Sequence, residues 1–145
     1  MKFSFSLARL LKINNIWEEQ AKLKLAVAMT AYINEEQLLN AKAEYLDAVW
    51  SKLTTSGERQ ARQLGQSFLL TKLAQADCKR QQDKVQQAKA AWTAARQEFV
   101  ERRTRRQALS SLEEKKYIEF LQAEKRSEGK QLDEVATVSY RRRRE

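Results

Sequence analysis

The side chains that most enzymes use for chemistry are scarce in this 145-residue sequence. There is no histidine and Cys78 is the only cysteine, which excludes a Cys/His metal site and a disulfide within the chain. Acid–base catalysis would depend on carboxylates and lysines, and nothing in the sequence suggests a pocket that tunes them. We therefore predict a protein that is not an enzyme and that holds no cofactor and no metal.

The most conspicuous charged feature is the run of four arginines, Arg141 to Arg144, near the end of the sequence. The net charge is +9, and residues 58–145 hold 21 basic and 13 acidic side chains. Such a surplus favours an acidic partner, either a nucleic acid, a phospholipid surface or an acidic protein. The arginines are not interleaved with aromatic residues that stack on bases, so nucleic acid is the weaker candidate. A solvated tail without a partner is a further interpretation of the arginine run.

Long helices are predicted to position these charges, because the sequence has no proline and only three glycines. A stripe with alternating spacings of three and four runs along the first helix, and eight of its ten positions are apolar or aromatic. Its members are Ala21, Leu25, Ala28, Tyr32, Glu35, Leu39, Lys42, Leu46, Val49 and Leu53. We expect Leu10, Ile13 and Trp17 to extend it after one additional step of four.

A cluster of turn-forming residues, TTSGERQ, follows this stripe. It contains Gly57, and Gly65 follows, so the chain is expected to reverse within a loose tip at about 54–65. A second stripe then begins, and the repetition predicts an all-α fold: one long antiparallel two-helix coiled-coil hairpin. The second stripe is predicted at Val85, Ala88, Trp92, Ala95 and Phe99 and, less regularly, at Leu109, Leu112, Tyr117, Leu121 and Leu132.

The predicted boundaries are about 4–53 for helix one and about 66–141 for helix two, with a basic tail at 141–145. At about 1.5 Å per residue, helix two would extend to roughly 110 Å. The sequence suggests no membrane span, and its first residues lack the features of a cleaved signal peptide.

Several side chains are interpreted from their place relative to the stripes. Three aromatic residues that lie off both stripes are candidates for contact with other proteins: Trp50, Phe68 and Phe120. Cys78 is interpreted as a small buried residue. A group of arginines is interpreted as a solvated helix face: Arg102, Arg103, Arg105 and Arg106.

Both ends of the sequence resemble the FliJ family of flagellar export proteins. The N-terminal pattern KF-x-F-x-L-x-x-LL-K is formed by Lys2, Phe3, Phe5, Leu7, Leu10, Leu11 and Lys12. Near the C-terminus, EKKYIEFLQAEKR precedes KQLDEVA, whose L-D-E-x-A element is formed by Leu132, Asp133, Glu134 and Ala136. Gly129 departs from the charged residue expected at its position.

The resemblance implies a non-enzymatic component of the flagellar type III export apparatus. It is expected in the bacterial cytoplasm, peripheral to the inner face of the membrane at the flagellar base. Members are similar to the central stalk of rotary ATPases: the paired terminal segments enter the hexameric export ATPase and promote its assembly and activity. The opposite end of the hairpin meets the cytoplasmic domain of the export gate, and export chaperones are further partners. Neither nucleic acid nor direct membrane insertion is expected.

Two sets of binding residues follow from the resemblance. The set expected to bind the ATPase ring is Phe3, Phe5, Leu7, Leu11, Leu132, Asp133, Glu134, Arg141, Arg142, Arg143 and Arg144. The set expected to bind the export gate is Gln37, Tyr45, Trp50, Phe68, Leu69, Leu73 and Ala76, although core packing is an alternative role for its aromatic and leucine members. Two other functions stay open: a basic coiled coil that binds nucleic acid, and a purely structural scaffold.

Overall fold

The computed structural model describes residues 2–55 and 61–144. Helix α1 spans Ala8–Thr55 and helix α2 spans Ala61–Arg142, and no strand occurs in these ranges. Lys24 pairs with Glu98 and Lys42 pairs with Asp77, so the partners of α1 run backwards along α2. The fold is therefore an all-α antiparallel hairpin, as predicted.

The hairpin contains two compact units. The terminal unit combines the two ends of the sequence, Met1–Glu18 and Glu101–Glu145, and the central unit is Glu19–Val100. Each unit contains a segment of both helices, and we describe each by itself.

In the central unit, burial follows the predicted α1 stripe residue by residue. All ten positions from Ala21 to Leu53 are buried or half-buried, and every residue between them is exposed. Tyr32 and Trp92 stack across the seam, with ring centroids 5.6 Å apart and planes inclined by 6°. The α2 side has the same alternating spacing at Ser67, Thr71, Ala74, Cys78, Gln81, Val85, Ala88, Trp92, Ala95 and Phe99.

Polar side chains complete two layers of this seam. Gln81 is fully buried, and its Nε2 donates to the backbone carbonyl oxygen of Glu35 at 3.0 Å and also to the Glu35 carboxylate. Lys42 Nζ pairs with Asp77 Oδ1 at 3.1 Å. Because a shift of one helix along the other would leave the Gln81 amide without these acceptors, this layer fixes which residues face each other.

Replacement of Gln81 by alanine is expected to lower the free energy of unfolding by about 1–2 kcal/mol, since it removes two hydrogen bonds and leaves a gap in the seam. The paired variant Glu35→Leu with Gln81→Leu is expected to be at least as stable as the wild type, because it replaces a buried polar pair with packed apolar groups. Urea unfolding followed by circular dichroism measures both. A paired variant less stable than Gln81→Ala would contradict this account.

In the terminal unit, the predicted extension of the α1 stripe was wrong. Along the α1 part of this unit, the buried and half-buried side chains are Leu11, Asn14 and Glu18, which continue the alternating spacing without an additional step. The predicted members are all exposed: Leu10, Ile13 and Trp17. The seam therefore stays in phase along α1, and these three large apolar side chains lie beside it.

Several polar residues in this part of the seam form hydrogen bonds or ring contacts with specific partners. Asn14 Nδ2 donates to the backbone carbonyl oxygen of Leu10 at 2.8 Å. The Arg106 guanidinium donates to the Glu18 carboxylate, and this hydrogen bond raises the pKa of Arg106. Arg102 lies over the Trp17 ring at 4.8 Å. Two members of the predicted solvated face, Arg102 and Arg106, are therefore half-buried, which corrects that prediction.

Helix α1 begins later than about residue 4, because the first residues take another conformation. Residues 2–5 are not helical, and the Phe3 ring lies edge-on against Tyr117, with centroids 5.2 Å apart. Its centroid is also 5.6 Å from that of Phe120. Phe120 was expected off the stripe, yet this contact leaves it half-buried.

Helix α2 begins at Ala61, earlier than the predicted 66, and Gly65 lies inside it. A Cβ atom at Gly65 would meet nothing within 4 Å and its φ is not positive, so neither a close approach nor a turn requires a glycine there. The helix also continues through Ser110 and Gly129. The reversal predicted around Gly57 lies outside the described residues.

The irregular second part of the α2 stripe was also predicted incorrectly. Leu109 is half-buried, but the other members are exposed: Leu112, Tyr117, Leu121 and Leu132. The alternating spacing instead continues from Phe99 through Arg102, Arg106, Leu109 and Glu113. Apolar character alone did not identify the seam, because charged side chains occupy it, and two of them, Arg102 and Arg106, contact Trp17 and Glu18 of α1.

Candidate protein-binding surfaces

An apolar patch lies on the part of α1 in the terminal unit, formed by Leu10, Ile13 and Trp17, and we refer to it as the α1 patch. The exposed fractions of these residues are 42%, 42% and 40%. Spacings of three and four place them on one helix face, beside the buried stripe. Three large apolar side chains on one exposed face are typical of a protein-binding surface. Sequence reasoning missed this surface because it assigned the same residues to the seam.

The structure places the N-terminal residues of the expected ATPase-binding set largely against this chain's own helices. Phe3 packs on Tyr117 and Phe120, and Phe5 and Leu11 are half-buried. The ring contacts of Phe3 hold the N-terminal segment against α2. Leu7 is exposed.

The C-terminal residues of that set are exposed along the last part of α2. Leu132, Asp133 and Glu134 have no contact with α1 among the described interactions, and all three are exposed. Leu132 is followed by exposed apolar residues at spacings of three, Val135 and Val138. This face of α2 is therefore open to a partner.

The four arginines form the exposed basic end of α2. Arg141 and Arg142 form its last turn, where a cation is favoured by the negative end of the helix dipole. Arg144 lies beyond the helix, and its guanidinium is 5.2 Å from the centroid of the Tyr140 ring. The run thus presents concentrated positive charge at a helix end.

In the central unit, all members of the expected gate-binding set are exposed: Gln37, Tyr45, Trp50, Phe68, Leu69, Leu73 and Ala76. The aromatic and leucine members are 52–60% exposed, which excludes core packing within this chain as their role. Cys78, in contrast, is buried, as predicted.

These residues do not form one surface. A groove of about 290 Å³, which we call the Tyr45 groove, is lined by Lys42, Tyr45, Leu70, Leu73, Ala74, Asp77 and Arg80. Phe68 precedes Leu70 by two residues, or about 200° around α2, and so lies on the other side of the helix. Trp50 is about 140° from Tyr45 around α1 by the same measure. Sequence reasoning missed Leu70, although its spacing of three from Leu73 was a usable indication.

Neither a metal-binding cluster nor a membrane-spanning helix occurs in the described ranges. Within residues 2–55 and 61–144, no group of three or more Cys, Asp or Glu side chains is arranged to hold a metal ion. In the same part of the chain, no helix combines the length and the apolar character that a membrane crossing requires.

A two-helix antiparallel hairpin with exposed apolar patches and a basic helix end belongs to the class of all-α coiled-coil hairpin proteins. The family model described as "Flagellar FliJ protein" matches residues 2–145. The chain therefore belongs to the FliJ family and is a component of flagellar protein export. Searches of curated proteins and of solved structures found no match.

Proposed function

We propose that this protein is the stalk-like subunit of the flagellar type III export apparatus, which binds the hexameric export ATPase, promotes its assembly and activity, and links it to the export gate. The match of the FliJ family over residues 2–145 carries this proposal. In this function the protein is not a catalyst, and it acts in the cytoplasm at the inner face of the membrane, at the flagellar base. Export chaperones are further partners in the proposal.

The terminal unit has features that suit a ring-shaped partner. The α1 patch offers apolar contacts, and Arg141 to Arg144 offer charge to acidic side chains and helix carbonyl ends inside a ring. Phe3, packed against Tyr117, holds the start of the chain on α2, so that both ends of the sequence can enter the ring together.

The central unit has features that suit the export gate. Tyr45, Trp50 and Phe68 are about half exposed, and exposed aromatic residues frequently supply most of the energy of an interface. Because these residues belong to a different unit from the arginine run, we expect separate variants to affect the two activities separately.

The double variant Tyr45→Ala with Phe68→Ala tests this division. It is expected to leave the stimulation of the purified export ATPase unchanged and to weaken binding to the cytoplasmic domain of the gate at least about tenfold, because it truncates an exposed aromatic side chain on each of the two candidate faces. ATPase rates and calorimetric titration measure the two activities, with circular dichroism as the folding control. A folded variant that loses both activities would contradict the division, and a wild type with neither activity would end the proposal.

A retardation assay distinguishes the stalk from a basic coiled coil that binds nucleic acid. The proposed function predicts no retardation of DNA or RNA at physiological salt. Submicromolar binding that weakens steeply with salt would instead favour the nucleic-acid function, since release of counterions from phosphates governs such binding.

A further inference from the structure

Helix α2 carries, near its end, an exposed stripe that no other part of the described chain covers. Its central residues are apolar and well exposed: Leu132 at 70%, Val135 at 66% and Val138 at 51%. An open groove of about 380 Å³ runs beside Val135 and Val138 and is bordered by Glu134, Ser139 and Arg142. We refer to the exposed residues along this face as the C-terminal stripe: Glu128, Gln131, Leu132, Val135, Val138, Ser139 and Arg142.

The two ends of the C-terminal stripe carry opposite charges. Glu128 begins it, Arg142 ends it, and each lies seven residues from Val135. Because seven residues make nearly two turns, both charged groups share the face of Val135, at about 10 Å from it along the helix axis. Neither charged group forms an ion pair within the described residues. The stripe is thus acidic at one end, apolar in the middle and basic at the other end.

A second copy of the C-terminal stripe complements the first when the two run antiparallel, with Val135 of one chain opposite Val135 of the other. The facing residues of the two chains are then Val135 with Val135, Leu132 with Val138, Gln131 with Ser139, and Glu128 with Arg142. Apolar groups meet apolar groups, an amide meets a hydroxyl, and a carboxylate meets a guanidinium. Because such a pair has two-fold symmetry, each contact between unlike residues occurs twice.

We propose that the C-terminal stripe pairs in this antiparallel way with the same stripe of a second copy of this chain. Charge complementarity selects this occupant: a parallel pair would place like charges side by side, and a partner of one charge would be repelled at one end of the stripe. The contact extends over only about 21 Å of each helix, so it buries less than about 1,200 Å² and is weak and reversible. We expect a dissociation constant on the order of 100 µM.

The pairing has a consequence for the proposed function, and this consequence rests on that function. Leu132 and Arg142 belong to the set expected to bind the ATPase ring, and the pair covers both. A chain cannot use them for the ring and for a second copy at once. The ring therefore receives single chains, and pairing limits how many are available at high concentration.

Sedimentation equilibrium of the full chain tests the pairing, from about 10 to about 1000 µM, on both sides of the expected constant. A salt concentration of about 150 mM screens charges beyond about 8 Å, which reduces the repulsion between chains of net charge +9. Arg142→Glu and Glu128→Arg are each expected to weaken association at least about tenfold, because each creates two contacts between like charges. The double variant Glu128→Arg with Arg142→Glu restores opposite charges and is expected to associate within about threefold of the wild type.

Two comparisons separate direct pairing from an effect of net charge. The double variant has the same net charge as the wild type. Arg126→Glu makes the same substitution as Arg142→Glu at an exposed position on the opposite side of α2, about 180° from Val135, and is expected to associate like the wild type. Circular dichroism checks that every variant stays helical.

The outcomes distinguish this inference from the stalk function, because sedimentation uses this chain alone. A wild type that stays monomeric over the whole range would overturn the pairing and leave the stalk function intact, also if the monomer sediments with vesicles of anionic phospholipid. Equal association of the wild type, Arg142→Glu and Glu128→Arg would place the contact elsewhere in the chain and overturn the proposal. A double variant as weak as the single variants would overturn the antiparallel arrangement.

Discussion

Reversal of the charge of Arg141 to Arg144 by four glutamates is expected to remove most of the stimulation of the export ATPase. The change converts an exposed basic helix end into an acidic one, which acidic side chains and helix carbonyl ends of a ring repel. We expect the concentration of the chain that gives half-maximal stimulation to rise at least about tenfold. The ATPase rate, measured with increasing amounts of the variant, tests this.

The controls for the tail variant concern charge and folding. Four lysines in place of the arginines keep the charge and are expected to retain most of the stimulation. Arg103→Glu with Arg105→Glu changes two exposed arginines of α2 elsewhere in the terminal unit and is expected to have a small effect. The free energy of unfolding of the glutamate variant should differ from that of the wild type by less than about 1 kcal/mol, because the tail is exposed. A folded glutamate variant that stimulates like the wild type would contradict ring binding by the tail.

Replacement of Trp92 by alanine is expected to produce the largest loss of stability of any single change in the central unit. Trp92 is half-buried on the seam and stacks on Tyr32 at 5.6 Å, so its removal loses both apolar burial and the ring contact. We expect the free energy of unfolding to fall by about 2–4 kcal/mol, since the side chain is not fully buried. Thermal and urea unfolding followed by circular dichroism measure the change.

Trp50→Ala is the matched control, because Trp50 is 52% exposed and lies off the seam. It is expected to change the stability by less than about 1 kcal/mol. The double variant Trp92→Ala with Tyr32→Ala should lose less free energy of unfolding than the two single variants together, because both single changes remove the same stacking contact. Equal losses from Trp50→Ala and Trp92→Ala would show that the stack does not determine stability.

The central seam was predictable because most of its positions on α1 are apolar and their spacing is regular. Glu35 and Lys42 were placed correctly by spacing alone, and their partners on α2 explain why the seam tolerates them. The seam of the terminal unit was not predictable in this way. Asn14 and Glu18 occupy it, and what stabilises Glu18 there is a hydrogen bond to Arg106, which is 88 residues away in sequence.

The candidate binding surfaces were also only partly predictable from the sequence. Exposure of Tyr45 and Phe68 follows from their position off the seam, but sequence patterns do not show which exposed residues share a groove. The Tyr45 groove exists because Leu70 and Arg80 of α2 lie beside Tyr45 of α1, and only the packing of the two helices determines this. Similarly, the α1 patch is exposed because Leu11 and Asn14, and not the patch residues, occupy the seam.

In the central unit, the spacing between seam residues alternates between three and four residues without interruption. This regularity restricts which insertions and deletions the chain can accept. Deletion of a single residue would turn every following side chain by about 100° and bring polar residues into the seam. Deletion of seven residues nearly preserves the face, since seven residues make close to two full turns. The facing part of the other helix would then have to lose seven residues as well, or Gln81 would no longer meet Glu35. Insertions and deletions among relatives are therefore expected in paired steps of seven residues, one in each helix.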